Sequence, residues 1–248
     1  MPGNRTSSSR PTFIKTRSDS GLQGLAAALS VCVALAGCAA FSMQKPEELE
    51  GPPTAESLPA SVLSERGDTY DDRKLIAELN KKKDWAGLLR FAQANQRVDP
   101  AGYDWGVLGG YALFRLGDYP KVIAVLTPIV RSNPEDIGAW NLLGEAQRRA
   151  GQPGQATRTL ERASIVGRTS FVTFFFLGEA YRDSQRLDQA VPAYREAARL
   201  SPEFAQAWYE LGSASMRMGN RSEAQTALDS LQKLDPGLAA KLKERMVR

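Results

Sequence analysis

The 248-residue chain has no histidine and only two cysteines, Cys32 and Cys38. The first absence excludes histidine-based triads, histidine general bases and histidine-ligated zinc or iron. Two cysteines without histidine complete neither an ordinary tetrahedral zinc site nor a disulfide framework. No metal, no cofactor, no catalytic residue and no small-molecule substrate are therefore expected. An excess of one charge is also lacking. Lys and Arg total 32 against 28 Asp and Glu, a net of +4. Three of those four charges lie in the first 37 residues, where Arg5, Arg10, Lys15 and Arg17 face Asp19 alone. The rest is close to neutral, so no nucleic-acid partner is expected. No segment alternates apolar and polar residues between turn signals, so no sheet is expected. Hydrophobic residues at 42% still suffice for a sizeable core.

Residues 1–20 are polar and basic, and residues 25–37 read LAAALSVCVALAG, a nearly unbroken apolar run. A basic stretch followed by a short apolar one is the pattern of an export signal. The run ends in Leu35-Ala36-Gly37-Cys38. Small residues before a cysteine suit a signal peptidase, and the tetrapeptide resembles the bacterial lipobox. The resemblance implies a lipoprotein: a signal peptide over 1–37 that takes Cys32 with it, and a mature protein beginning at an acylated Cys38. Each buried CH₂ contributes about 0.8 kcal/mol, so two or three acyl chains, palmitate among them, hold a protein on a bilayer. Ala39 and Ala40 follow the cysteine. In that family the lack of Asp there implies the outer membrane, facing the periplasm. The alternative is an uncleaved membrane helix over 25–43. Residues 38–68 hold Pro46, Pro52, Pro53 and Pro59 and read as a disordered tether with a span on the order of 30 Å.

Beyond the tether the chain repeats itself. Gly110, Gly144, Gly178 and Gly212 are 34 residues apart, as are Ala156, Ala190 and Ala224, with Val122 in the earlier slot. Pro100, Pro134, Pro202 and Pro236 share that grid, with Arg168 in the missing place, and Trp140, Phe174 and Trp208 make a further ladder. A 34-residue period with these residues resembles the tetratricopeptide repeat, two antiparallel helices per unit. The resemblance implies an all-α solenoid with repeats at 103–136, 137–170, 171–204 and 205–238. Within the third, Phe174, Leu177, Gly178 and Tyr181 fall on one helical stripe. Gly117, Gly151 and Gly219 fall at the turns inside the units. Residues 69–102 read as a degenerate fifth helix pair, and 239–248 as a C-terminal capping helix, since terminal units of a stack are atypical. Trp105 stands one place early in the first repeat, which makes its first helix the weakest match.

In the family, the first helices line a concave surface that binds a peptide or a partner's helix. The register places Asn141, Phe175 and Tyr209 in the fifth slot of the units, Tyr111, Glu145 and Glu179 in the ninth, Phe114, Arg148 and Arg182 in the twelfth, and Arg115, Arg149 and Arg217 in the thirteenth. Two readings follow for the arginines: a ridge that binds acidic segments or a terminal carboxylate, or a solvated face partly paired with Glu145 and Glu179. Two also follow for the aromatics: anchors for a partner, or packing between units. The width of the Phe174-Phe175-Phe176 run, with Phe174 turned inward, favours exposure of Phe175. On the ridge reading, reversing Arg149 and Arg182 weakens partner capture with little loss of stability.

The resulting expectation is a non-enzymatic scaffold for an envelope protein. Resemblance to small repeat lipoproteins implies a secretin or pilus component as the partner, or alternatively a cell-wall hydrolase or protease. A remote alternative is a carboxylate-based enzyme using Glu145 and Glu179, which fall in equivalent slots of adjacent units.

Overall fold

A computed structural model of the chain describes residues 70–98 and 103–247, all within one compact unit. The signal peptide, Leu35, Ala36, Gly37, Cys38 and the tether lie outside the described residues. Among those residues there are eleven helices and no strand. The first pair is α1 (Tyr70–Lys81) and α2 (Trp85–Val98). Then come α3 (Tyr103–Arg115) with α4 (Tyr119–Ser132), and α5 (Ile137–Arg149) with α6 (Pro153–Val166). They are followed by α7 (Phe171–Asp183) with α8 (Leu187–Leu200), α9 (Ala205–Arg217) with α10 (Arg221–Leu234), and a last helix, α11 (Pro236–Val247). The first helices of the four main pairs begin 34 residues apart, and so do their second helices.

The period has a local cause at each turn. The residues with positive φ among the described residues are Lys83, Gly117, Gly151, Gln185 and Gly219, again 34 apart. A helix reverses into its partner here through one left-handed residue, a conformation that costs an L-residue roughly 1–2 kcal/mol and glycine nothing. Three turns use glycine, whereas Gln185 and Lys83 accept the strain. Lys83 thus puts α1 and α2 on the same plan as the other pairs. The start of the next helix is commonly capped by a side chain: Asp118 accepts from Lys121 N, Asp136 from Ala139 N, and Asn220 from Glu223 N.

The buried ladder runs Leu88, Val122, Ala156, Ala190 and Ala224, each fully inaccessible in the second helix of its unit. Facing it, the glycine ladder lets the two helices of a pair close up. A Cβ on Gly144 would stand 2.5 Å from Leu160 Cγ, and one on Gly178 2.6 Å from the Tyr194 ring. At Gly212 the neighbour is instead Leu242 of α11, at 2.5 Å, with Ala227 Cβ at 3.1 Å. The last helix therefore packs where a sixth unit would begin, against both α9 and α10.

One boundary differs from the sequence reading. The second helix of the last pair ends at Leu234, and the capping helix starts at Pro236 rather than 239. Pro236 opens that helix because a first-turn proline lacks only an N–H that has no helical partner anyway. Asp235 caps it, accepting from Leu238 N at 2.9 Å.

Candidate partner-binding site

Beyond neighbours along the chain, the first helices touch each other from unit to unit, α3 with α5 and α5 with α7. Their outward stripe is one continuous face. Repetition brings residues 34 apart side by side on it, so the chemistry of the face is set by what fills each slot.

Four of the five arginines do not stand free. Arg148 grips Glu145 with two parallel hydrogen bonds, Nε to Oε2 at 2.7 Å and Nη2 to Oε1 at 2.8 Å. Its Nη1 crosses to the next unit and reaches Asp183 Oδ2 at 2.7 Å, with Glu179 Oε2 at 3.9 Å. Arg149 Nε adds a bond to Glu145 Oε1 at 2.8 Å. Arg182 pairs with Glu179 at 2.7 Å, with Asp183 at 3.2 Å, and with Glu210 of the following unit at 3.0 Å. Arg115 lies 4.1 Å over the Trp85 ring and donates to the Tyr111 hydroxyl. The expectation of an arginine ridge open to acidic ligands is thus corrected for Arg115, Arg148 and Arg182, which serve the contacts between units. A guanidinium taken partly out of water needs carboxylates around it, and stacking supplies them from the adjacent unit. Arg149 and Arg217 are exposed, and Arg217 makes no ion pair among the described residues.

The carboxylates are equally committed. Glu145 is 2% exposed and Glu179 is 8% exposed. Tyr194 of α8 donates to Glu179 Oε1 at 2.7 Å. Burial pushes the Glu179 carboxyl above its ordinary range; Arg182 opposes this, Glu210 adds to it, and Tyr194 and Arg148 oppose it. Burial works against the charge on Arg148, but Glu145, Asp183 and Glu179 together hold it more firmly protonated than an ordinary arginine. A guanidinium therefore stands between the two carboxylates that an enzymatic reading would pair.

The aromatic anchors are corrected as well. Tyr111 is fully buried, and Phe114 and Phe175 are buried against neighbouring helices. Phe175 is enclosed by Phe204, 5.2 Å away edge to face, and by Tyr194. Phe176 is buried too, while Phe174 is the half-exposed member of the run. The reason is position in the stack: α7 packs against α5, α6 and α8, so almost every side of it is covered. Phe174 faces an open hollow of about 320 Å³ beside α8, with Leu177, Tyr181 and Pro192. Elsewhere in the ladder the slot holds tryptophan, and Trp140 and Trp208 donate their indole N–H to the carbonyls of Pro134 and Pro202. The third repeat lacks both partners, having Phe174 and Arg168.

Asn141 lies on this face at 8% exposure, and its Oδ1 is buried without a hydrogen-bond partner. Tyr209 is half-buried, with Arg245 of α11 5.3 Å over its ring; Arg245 also donates to Ser213 Oγ at 2.7 Å. Sequence reasoning missed Glu210, Tyr194, Trp85 and Arg245. Glu210 sits one slot after Tyr209, and the register that placed Tyr209 would have found it. The other three belong to second or terminal helices, outside that register.

Profiles of the tetratricopeptide-repeat family match residues 107–166, 178–219 and 205–238. The chain is a tetratricopeptide-repeat protein. Its repeats mark it as a protein–protein interaction scaffold, since tetratricopeptide repeats bind peptide or protein partners in a groove. Cell division cycle protein 27 homolog of Caenorhabditis elegans is 24% identical over 169 residues, 68% of this chain and 19% of that protein. Superkiller complex protein 3 of Mus musculus is 23% identical over 58% of this chain and 9% of that protein. The chain spans less than a fifth of the length of these curated relatives. Among solved structures, MamA from Desulfovibrio magneticus RS-1 matches with a TM-score of 0.57 at 21% identity, over 70% of this chain and 93% of that one. YrrB, described as a TPR protein with an unusual peptide-binding site, matches with a TM-score of 0.57 at 20% identity, over 77% and 99%. These similarities carry the solenoid fold of the tetratricopeptide-repeat protein.

Proposed function

We propose that the protein is a non-enzymatic lipoprotein of the outer membrane, anchored at Cys38, whose first-helix face holds a segment of another envelope protein. The observation that carries the scaffold role is the Glu145–Arg148–Asp183–Arg182–Glu210 network. It fixes three successive units to one another and leaves a preformed face bordered by the exposed Arg149 and Arg217. A preformed face lowers the ordering cost of binding. YrrB, a solenoid of the same fold, is described as having a peptide-binding site, which is in keeping with a partner segment as the ligand.

The partner class we favour is a secretin or pilus component. A lipid anchor with a binding face recruits a pore subunit to the membrane where the pore assembles. A cell-wall hydrolase or protease is the alternative, and the two separate on which protein crosslinks to the mature chain. The carboxylate-enzyme reading loses support because Glu145 and Glu179 are each held by guanidinium groups.

The test of the anchor is Cys38→Ala. The variant should keep its helical circular dichroism and leave the membrane fraction, and continued retention would overturn the lipid anchor in favour of an uncleaved membrane helix. The test of the face is Arg217→Glu, which should weaken capture of the crosslinked partner at unchanged thermal stability.

A further inference from the structure

The turns inside the five helix pairs share one edge of the solenoid, because the left-handed residues Lys83, Gly117, Gly151, Gln185 and Gly219 recur at one point of each unit. Charge is unevenly spread along that edge. Residues 81–84, 115–121 and 148–153, the first three turns, hold seven basic and two acidic side chains. The last two turns, 182–188 and 217–223, hold four basic and three acidic. The opposite edge, over 131–137, 165–171, 199–205 and 233–237, is balanced at four and four. The surplus is therefore local, and it sits at the N-terminal end of one edge.

Within that patch Lys81, Lys82, Lys83, Lys121 and Arg149 are exposed. Lys82 and Lys121 pair with Glu78 and Asp118 on the surface. Such pairs contribute little, and their cations remain open to a stronger anion. Lys81 and Lys83 make no ion pair among the described residues. Leu116, 48% exposed, stands between Arg115 and Lys121. An apolar side chain flanked by long cationic ones suits the boundary between headgroups and acyl chains.

We propose that this N-terminal edge docks on the phosphate headgroups of the bilayer that carries the anchor, an inference that rests on the lipid-anchor reading. The chain enters the solenoid at the start of α1, and Lys81, Lys82 and Lys83 close that helix, about 18 Å away. These three lysines are thus about one helix length from the point where the tether joins. Tethering raises the effective concentration of the edge at the membrane, so weak contacts of roughly five-fold per cation add up to an orientation. With the edge on the bilayer, the first-helix face stands across the membrane plane and remains open to a partner.

The full-length mature protein, labelled with a fluorophore at Gln152→Cys on this edge or at Ile165→Cys away from it, is reconstituted into vesicles containing a headgroup-linked quencher. One set is phosphatidylcholine alone and the other includes phosphatidylglycerol. Stronger quenching at 152 than at 165, dependent on phosphatidylglycerol and relieved by salt, is the expected result. Lys81→Glu with Lys83→Glu and Lys121→Glu should lower the phosphatidylglycerol-dependent component on the order of 100-fold. Equal quenching at both sites, or quenching indifferent to phosphatidylglycerol, overturns the inference and leaves an acidic protein as the edge's occupant. Failure to enter phosphatidylcholine vesicles overturns the anchor separately. In that case association with phosphatidylglycerol vesicles alone decides the edge: its presence supports the docking, and its loss overturns it.

Discussion

Tyr194 and Glu179 meet across the third repeat, the phenol of α8 donating to the carboxylate of α7 at 2.7 Å. The same ring fills the space left by Gly178, one residue before Glu179. A close helix crossing and a buried charge are thus held by one side chain. Removing only its oxygen, in Tyr194→Phe, keeps the packing and strips one donor from a buried carboxylate. A loss of about 1.5–3 kcal/mol is expected, the range for a hydrogen bond to a charged group, measured by urea unfolding at neutral pH.

The pH dependence of the same group has a definite sign. Burial leads the causes that raise the Glu179 carboxyl above its ordinary value of 4.5. The folded state then binds that proton more tightly than the unfolded chain. Its contribution to stability is complete below pH 4.5 and is lost as pH rises through the folded value. Glu179→Gln cannot titrate. The stability of the natural protein relative to this variant should fall as pH rises above 4.5, read from paired melting curves; a natural protein that gains on the variant as pH rises would contradict the buried-carboxylate account.

Reversing Arg182 now carries a different expectation from the one its sequence slot suggested. A carboxylate there would face Glu179, Asp183 and Glu210, with Arg148 left to hold Asp183 and Glu179 and nothing in Arg182's place to hold Glu210. Breaking a buried pair in this way costs about 3–5 kcal/mol. Arg182→Glu should lower the melting temperature sharply, and lost partner capture in that variant would report unfolding. Arg217→Glu should leave the melting temperature unchanged.

Backbone strain at Gln185, with φ of 61°, is relieved by glycine. The gain in conformational ease exceeds the entropy cost of glycine by roughly 0.5–1 kcal/mol. Gln185→Gly should therefore stabilise the protein, and Gly151→Ala, at the matching turn, should destabilise it. Guanidinium melts of the two single variants check both signs.

Gly144→Ala tests the crossing rather than the turn. Its methyl group would stand 2.5 Å from Leu160 Cγ, forcing the leucine or the helices apart. Overpacking of this kind costs about 1–3 kcal/mol. Ala substitution at exposed Gly154, which has open space around it, should cost nothing by the same thermal assay.

The sequence by itself determined the period, the helix pairs and their number. Gly144, Trp140 and Pro134 constrain backbone and packing locally, and local constraints repeat wherever their residues repeat. Even the degenerate first pair was legible from its apolar spacing, though its tie to the others through Lys83 was not, because a lysine carries no sign of a left-handed turn. The tertiary structure alone decided which side chains of the first helices remain for a partner. Phe175 and Tyr111 lie under neighbours far away in the chain, and Arg148 and Arg182 are neutralised by Asp183 and Glu210 from the next unit. Exposure and charge pairing depend on what stacks against a helix, and a slot number on one helix says nothing about the atoms that another unit brings to it.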